Sequence, residues 1–151
     1  MIEHEITGNI IDLTKTGKYN GMIQGCNCFC VMGSGLAPQV AKAFPIALKV
    51  DNQTIKGDVR KLGKFTSATY SDETVKDVTI VNAYTQYQTG RNGSLRAIER
   101  VFKNLDTLYA GCHFLIPLIG CGIAGLDWTQ VSSVINRHTP NLKLTLVHYN
   151  G

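Results

Sequence analysis

His113-Phe114-Leu115-Ile116-Pro117-Leu118-Ile119-Gly120-Cys121-Gly122-Ile123-Ala124-Gly125 runs from an apolar, strand-like segment directly into a glycine-rich loop. Glycine at such a turn lets the backbone approach a ligand closely, and a helix that follows directs unpaired N–H groups at an anion. The pattern predicts a buried strand over 113–119, a phosphate loop over 120–125 and a helix over 128–138. Val131, Val134 and Ile135 would face inward on that helix, with Pro140 beyond its end. A second stretch of the same kind, Met32-Gly33-Ser34-Gly35-Leu36-Ala37, stands upstream. Leu36, Val40 and Phe44 recur there at helical spacing, with Ser34 as the expected N-cap and Pro45 ending the pattern. Two such loops in a short chain suggest a clamp around a ligand with more than one phosphate.

Outward from these loops, strands are expected over 2–7, 21–24, 64–70, 78–83 and 142–149, and a helical turn over 46–50. Residues 94–109 give the clearest helix, with Leu95, Ile98, Phe102, Leu105 and Leu108 on one stripe and Gly111 placed as its C′ glycine. Strands and helices alternate over most of the chain, which argues for an α/β layered domain with a mostly parallel inner sheet. At 151 residues the chain reads as one domain, 1–151.

Composition narrows the function classes. Hydrophobic residues make up 44% and charged residues 17% of the chain, as in an ordinary globular protein. No apolar run approaches the roughly 20 residues of a membrane span, and residues 1–13 lack a signal-peptide core, so a cytoplasmic protein is expected. The net charge of +4 comes from 15 basic and 11 acidic residues. Its densest basic segment, Lys56, Arg60, Lys61 and Lys64, reads as a solvated loop rather than a nucleic-acid stripe. Cys26, Cys28 and Cys30 alternate in a C-x-C-x-C run that does not match zinc spacing, so reduced, mostly buried thiols and no metal are expected.

Gly120 to Gly125 satisfies G-x-G-x-x-G, the dinucleotide fingerprint, but that unit needs an acidic residue about 20 positions on. Residues 140–151 hold no Asp or Glu, and the fingerprint closes this chain instead of opening it. Neither loop ends in Gly-Lys-Ser/Thr, and neither is G-x-S-x-G, which removes the nucleotide triphosphatases and the simplest hydrolases. Asp127 and Gln130 have the spacing of an N-cap and its N3 partner. Asp127 also stands beside the second loop, where a carboxylate can orient or deprotonate a water. Asn27 follows an inner strand and offers an amide to ribose hydroxyls or to its own turn. Asn9 has the same two readings, and Tyr84 or Tyr149 offers a ring to a base.

Taken together these motifs resemble the macrodomains, which bind ADP-ribose, in register over nearly the whole chain. Gly8-Asn9-Ile10 is similar to the family's adenosine site, and Gly25-Cys26-Asn27 to its distal-ribose asparagine turn. Gly33, Ser34, Gly35 and Leu36 fall in its first loop. Ile119, Gly120, Cys121, Gly122, Ile123, Ala124 and Gly125 fall in its diphosphate loop. The resemblance implies a three-layer α/β/α fold with a mixed, mostly parallel six-stranded sheet. The most similar branch is that of the ADP-ribose 1″-phosphate phosphatase-like macrodomains of phages, bacteria and fungi, whose Asp is matched by Asp127. Three departures stand out. Asn9 replaces the family's adenine-reading Asp. Gln24 stands where the branch commonly has His, and it cannot transfer a proton. Gln86 and Ala124 occupy the approximate positions of the Lys and Asp used by relatives that reverse glutamate ADP-ribosylation.

The resemblance implies a monomer that takes ADP-ribose or ADP-ribose 1″-phosphate, with no cofactor, metal, membrane or nucleic-acid partner. Hydrolysis of the 1″-phosphate through Asp127 is the leading expectation. Non-enzymatic reading of ADP-ribose, favoured by Gln24, and removal of ADP-ribose from macromolecules are its rivals.

Overall fold

The computed structural model describes residues 1–149, and these form a six-stranded sheet between two layers of helices. The strands are β1 (Ile2–Gly8), β2 (Gly21–Cys26), β3 (Phe65–Tyr70), β4 (Val78–Tyr84), β5 (His113–Ile116) and β6 (Lys143–Tyr149). The helices are α1 (Ile10–Lys15), α2 (Ala37–Ala43), α3 (Pro45–Asn52), α4 (Leu95–Leu108) and α5 (Trp128–His138), with a 3-10 turn at Val59–Lys61. The strand order is β1-β6-β5-β2-β4-β3, parallel throughout except for β3, which runs antiparallel to β4 on the edge. The expected three-layer α/β/α architecture with a mixed sheet is therefore present.

The sheet is apolar on both faces because alternate residues of each inner strand point opposite ways. Met22 pairs in register with Ile80 and Leu115, and all three pack against Val40, Phe44 and Ala47 of α2, the α2–α3 junction and α3. The residues next along, Ile23, Val81, Phe114 and Ile116, meet Ile98, Phe102 and Leu105 of α4 and Val131 and Ile135 of α5. Neighbouring strands β2 and β5 thus lead into helices on opposite faces, α2 below and α5 above. Their chains diverge at the carboxyl edge of the sheet and leave a crevice between them, the usual ligand position in open α/β sheets.

Several local expectations change. α2 starts at Ala37, with Leu36 at the N-cap position and no side-chain cap, because Gly35 turns the chain with φ +66° before the helix begins. Ser34 therefore caps nothing. β5 ends at Ile116, because Pro117 has no N–H to extend a central ladder. Leu108 is exposed, and Tyr109 covers the core instead by packing edge-on to Phe114 at 5.1 Å. Gly111 lies two residues past the C-cap Tyr109, where its N–H donates to Asn141 O. In the basic segment Arg60 stays exposed and pairs with Asp58, but Lys61 turns inward and is buried. The short 3-10 turn directs the two adjacent side chains apart, and Lys61 finds hydroxyl, thiol and aromatic partners inside.

Asp106 of α4 is buried and carries the connection into β6. Its carboxylate accepts from the backbone N–H groups of Asn141 and Leu142, both at 2.8 Å, and from Asn141 Nδ2 at 3.2 Å. Asp106→Ala leaves two such donors without partners, at a cost of about 3 kcal/mol. A fall of roughly 6–12 °C in melting temperature is expected for a chain of this size. Thermal unfolding followed by circular dichroism checks this; a shift under 2 °C, in the range of about 1 kcal/mol or less, would show that the turn stands without it.

Candidate ligand-binding cleft

The crevice between β2 and β5 opens as a cleft of about 840 Å3, including the part open to solvent. The β2–α2 segment contributes Asn27, Val31, Ser34, Gly35 and Leu36, and the β5–α5 segment contributes Pro117 to Gly120 and Gly122 to Ala124. Thr85, Gln86, Thr89 and Gly90 close one end from the β4–α4 loop.

The second loop is laid tightly on α4. Gly120 has φ +78°, and a Cβ there would sit 3.0 Å from Ile98 Cδ1, so only glycine fits. Cys121 N–H donates to Leu118 O, Gly125 N–H to Gly122 O and Leu126 N–H to Gly120 O. Among the described residues, the N–H groups of Gly120, Gly122, Ile123 and Ala124 meet no acceptor. The N–H groups of Gly33, Ser34 and Gly35 in the first loop likewise meet no acceptor among the described residues. Ser34 and Gly35 of the first loop and Gly120, Gly122, Ile123 and Ala124 of the second, all with free main-chain donors, line the same cleft.

Charge is absent from the lining. Among the described residues, no Asp, Glu, Lys, Arg or His lines the cleft. Its one titratable group is the Cys26 thiol, which burial pushes well up, with the Asp51 carboxylate adding to the effect.

The polar floor is ordered by a chain of amides. Asn82 is fully buried and donates through Nδ2 to Ala47 O at 2.9 Å and to Thr66 Oγ1 at 3.1 Å. Its Oδ1 must then accept, and Gln24 Nε2 donates to it at 2.9 Å and to Met32 Sδ at 3.9 Å. This orientation leaves Gln24 Oε1 buried in the wall of the cleft without a partner among the described residues. A buried acceptor in that state costs about 1–3 kcal/mol until something donates to it. The sequence marked Gln24 only as a proton-transfer loss; the orientation set by Asn82 was not legible there.

Asn27 is buried and closes its own turn. Its Oδ1 accepts from Phe29 N–H at 2.9 Å and its Nδ2 donates to Val31 O at 2.8 Å. A primary amide has two donors and two acceptor lone pairs, so one of each remains for a hydroxyl in the cleft. The turn reading and the binding reading of this residue are compatible.

Other expected residues stand apart from the cleft wall. Gly33, Cys121 and Gly125 belong to the two loops without lining the cavity, and Cys121 Sγ turns back toward Ile119 O at 3.5 Å. Asp127 is exposed and caps α5, with Oδ2 accepting from Gln130 N–H at 3.3 Å. It too lies outside the lining. Asn9 and Ile10 sit at the end of β1, two strand spacings or about 10 Å from β5. Asn9 Oδ1 accepts from Ile11 and Asp12 N–H, capping α1, while the Ile10 side chain is in the core. Tyr84 points away from the cleft, and its hydroxyl donates to Asp51 Oδ1 at 2.8 Å. Tyr149 remains 68% exposed and pairs in register with Gly8. Sequence reasoning passed over Arg91, whose guanidinium lies against Gly125 at the cleft mouth; only the β4–α4 loop geometry brings it there.

Among the described residues no helix is long and apolar enough to cross a membrane. The Macro domain family model matches residues 23–135. A 17.5 kDa protein of the tk-vs intergenic region of Enterobacteria phage T4 is 35% identical, over 99% of this chain and 97% of its own length. Among solved structures, the macrodomain of Thermus aquaticus DarG superposes with a TM-score of 0.75 at 18% identity, covering 100% of this chain and 99% of that one. A Bacteroides thetaiotaomicron protein of unknown function reaches 0.80 at 17% identity, with 99% of both chains covered. Thermosipho africanus DarTG, solved in complex with ADP-ribose, reaches 0.75 at 18% identity, covering 97% of this chain and 42% of that one. With the family model spanning most of its length and a full-length phage relative beside it, the chain belongs to the macrodomain family.

Proposed function

We propose that this protein binds ADP-ribose in the cleft and acts as a reader of that ligand. The observation that carries the reading is the pair of loops with unpaired main-chain N–H groups around a cleft without charged side chains. Such dipoles hold a diphosphate well and supply no acid or base. The distal ribose would lie over Asn27 and Gln24, which offer a donor and two acceptors to its hydroxyls. The adenosine would extend along the sheet edge toward Asn9, Ile10 and Tyr149. The ADP-ribose bound by the Thermosipho relative supports this assignment.

Thermal shift is the direct test. Ligand at 100 times its dissociation constant stabilises the native state by about 2.7 kcal/mol, or roughly 5–10 °C for this chain. No shift with millimolar ADP-ribose would sink the proposal. Binding should also stay level between pH 5.5 and 8 (roughly the range where only His titrates), because Cys26 is held neutral across it and no other titratable group lines the cleft. Asn9 sets a further expectation. Both lone pairs of its Oδ1 serve the α1 cap, so it cannot accept from the adenine amino group. Inosine diphosphate ribose should therefore bind within about threefold of ADP-ribose, under 1 kcal/mol by calorimetry.

A second reading is hydrolysis of ADP-ribose 1″-phosphate with Asp127 orienting the water. It is favoured by Asp127 Oδ1, which has no partner among the described residues, at the end of the second loop. The uncharged lining and the Gln24 amide put it behind the binding reading. Phosphate release above buffer that disappears in Asp127→Asn would reverse that order. Loss of label from an ADP-ribosylated protein or nucleic acid would instead support the third activity.

A further inference from the structure

Lys61 is a buried amine with unusual company. Its Nζ donates to Thr54 Oγ1 at 2.8 Å and to Cys30 Sγ at 3.8 Å, and lies 5.3 Å from the centre of the Tyr84 ring. Thr54 Oγ1 itself donates to Asp51 O, so it meets Lys61 as an acceptor. Among the described residues no carboxylate oxygen lies within 4.0 Å of the ammonium.

Cys30 faces this amine from a constrained position. Its φ is +58°, in the left-handed region that non-glycine residues adopt only when their surroundings hold them there. Sγ lies 3.3 Å from Asp51 O and 3.4 Å from Thr54 Oγ1. Cys30 is half-buried, whereas Cys26 and Cys28 are buried, with their thiols pushed up by that burial. The thiolate is the nucleophile that attacks a peroxide oxygen.

We propose that Cys30 and Lys61 form an oxidation-dependent covalent pair, with hydrogen peroxide as the oxidant. The thiolate attacks one peroxide oxygen, the O–O bond breaks, and Cys30 becomes a sulfenic acid with release of water. Lys61, after giving its extra proton to solvent, attacks that sulfur; the S–O bond breaks and a second water leaves. The balance is thiol plus ammonium plus hydrogen peroxide giving an S–N sulfenamide, two waters and one proton. Sulfur loses two electrons and peroxide gains two. A dithiol reductant reverses the step by attack on sulfur, returning the amine and the thiol. Cys30 lies inside the turn that Asn27 closes onto Val31, both of which line the cleft. The bond would therefore pin the back of the ribose-facing turn to the 3-10 segment.

Peptide mapping by mass spectrometry after treatment with a small excess of hydrogen peroxide tests the pair. The expected product is a cross-linked peptide pair joining Cys30 to Lys61, lighter than its two parts by two hydrogens and cleaved by dithiothreitol. In Lys61→Arg the same treatment should carry Cys30 to the irreversible sulfinic acid, because no amine traps the sulfenic acid. Circular dichroism confirms that this variant is folded before it is oxidised. Cys30 recovered unoxidised, in a disulfide, or as sulfinic acid with Lys61 unlinked in the parent protein would overturn the proposal. The readout needs no ADP-ribose, so it stands or falls separately from the binding function.

Discussion

Gly122→Glu should lower ADP-ribose affinity by about 100-fold or more while barely moving the melting temperature. A Cβ at Gly122 would meet no atom within 4 Å, and its φ lies outside the left-handed region, so the folded chain has room for the new side chain. The same position has an unpaired N–H in the loop that we assign to the diphosphate. A carboxylate there meets a ligand of like charge, and no cation is among the residues that line the cleft. Such juxtapositions cost several kcal/mol, and each 1.4 kcal/mol is a factor of ten in affinity. Calorimetric titration beside a thermal melt separates the two effects. Unchanged affinity in a folded variant would move the diphosphate away from this loop.

Gly21→Ala should be the most damaging conservative change in the chain. Gly21 opens β2, where it pairs with Thr79 of β4 on one side and Phe114 of β5 on the other. A Cβ there would lie 1.8 Å from Thr79 O and 2.7 Å from Thr79 C. These are backbone atoms of a central strand, and they cannot move without breaking the ladder. A loss of more than about 4 kcal/mol is expected, enough to leave much of the protein unfolded. Gly33→Ala is the matched control, because the nearest atom to its Cβ is Val31 Cγ1 at an ordinary 3.6 Å. It should stay within about 0.5 kcal/mol of the parent. Urea unfolding measures both, and equal stability of the two variants would contradict the strand spacing described above.

Much of the architecture could be read from periodicity. α4 and α5 announced themselves through apolar spacing, and α5 also through Asp127, which caps it by accepting from Gln130 N–H. The two glycine loops were visible because a backbone site leaves glycine as its only trace. What periodicity could not show was orientation. The amide of Gln24 is turned by Asn82, which is fixed in turn by Ala47 O and Thr66 across the sheet. Lys61 read as solvated because a basic run usually is; its burial depends on Thr54 and Tyr84, which charge patterning does not bring beside it. Asp127 illustrates the opposite limit. Its capping spacing was legible, but its position outside the cleft lining follows from where α5 begins relative to the loop.

Main-chain donors have a consequence for how this protein can change over generations. Any side chain can be exchanged in one mutational step, but an N–H is lost only by mutation to proline or by rerouting the loop. A cleft built from backbone tolerates drift in its sequence while the path of its two loops is kept. The same economy makes such a site sensitive to length: a single inserted residue in either loop would displace several donors together, where a substitution displaces none.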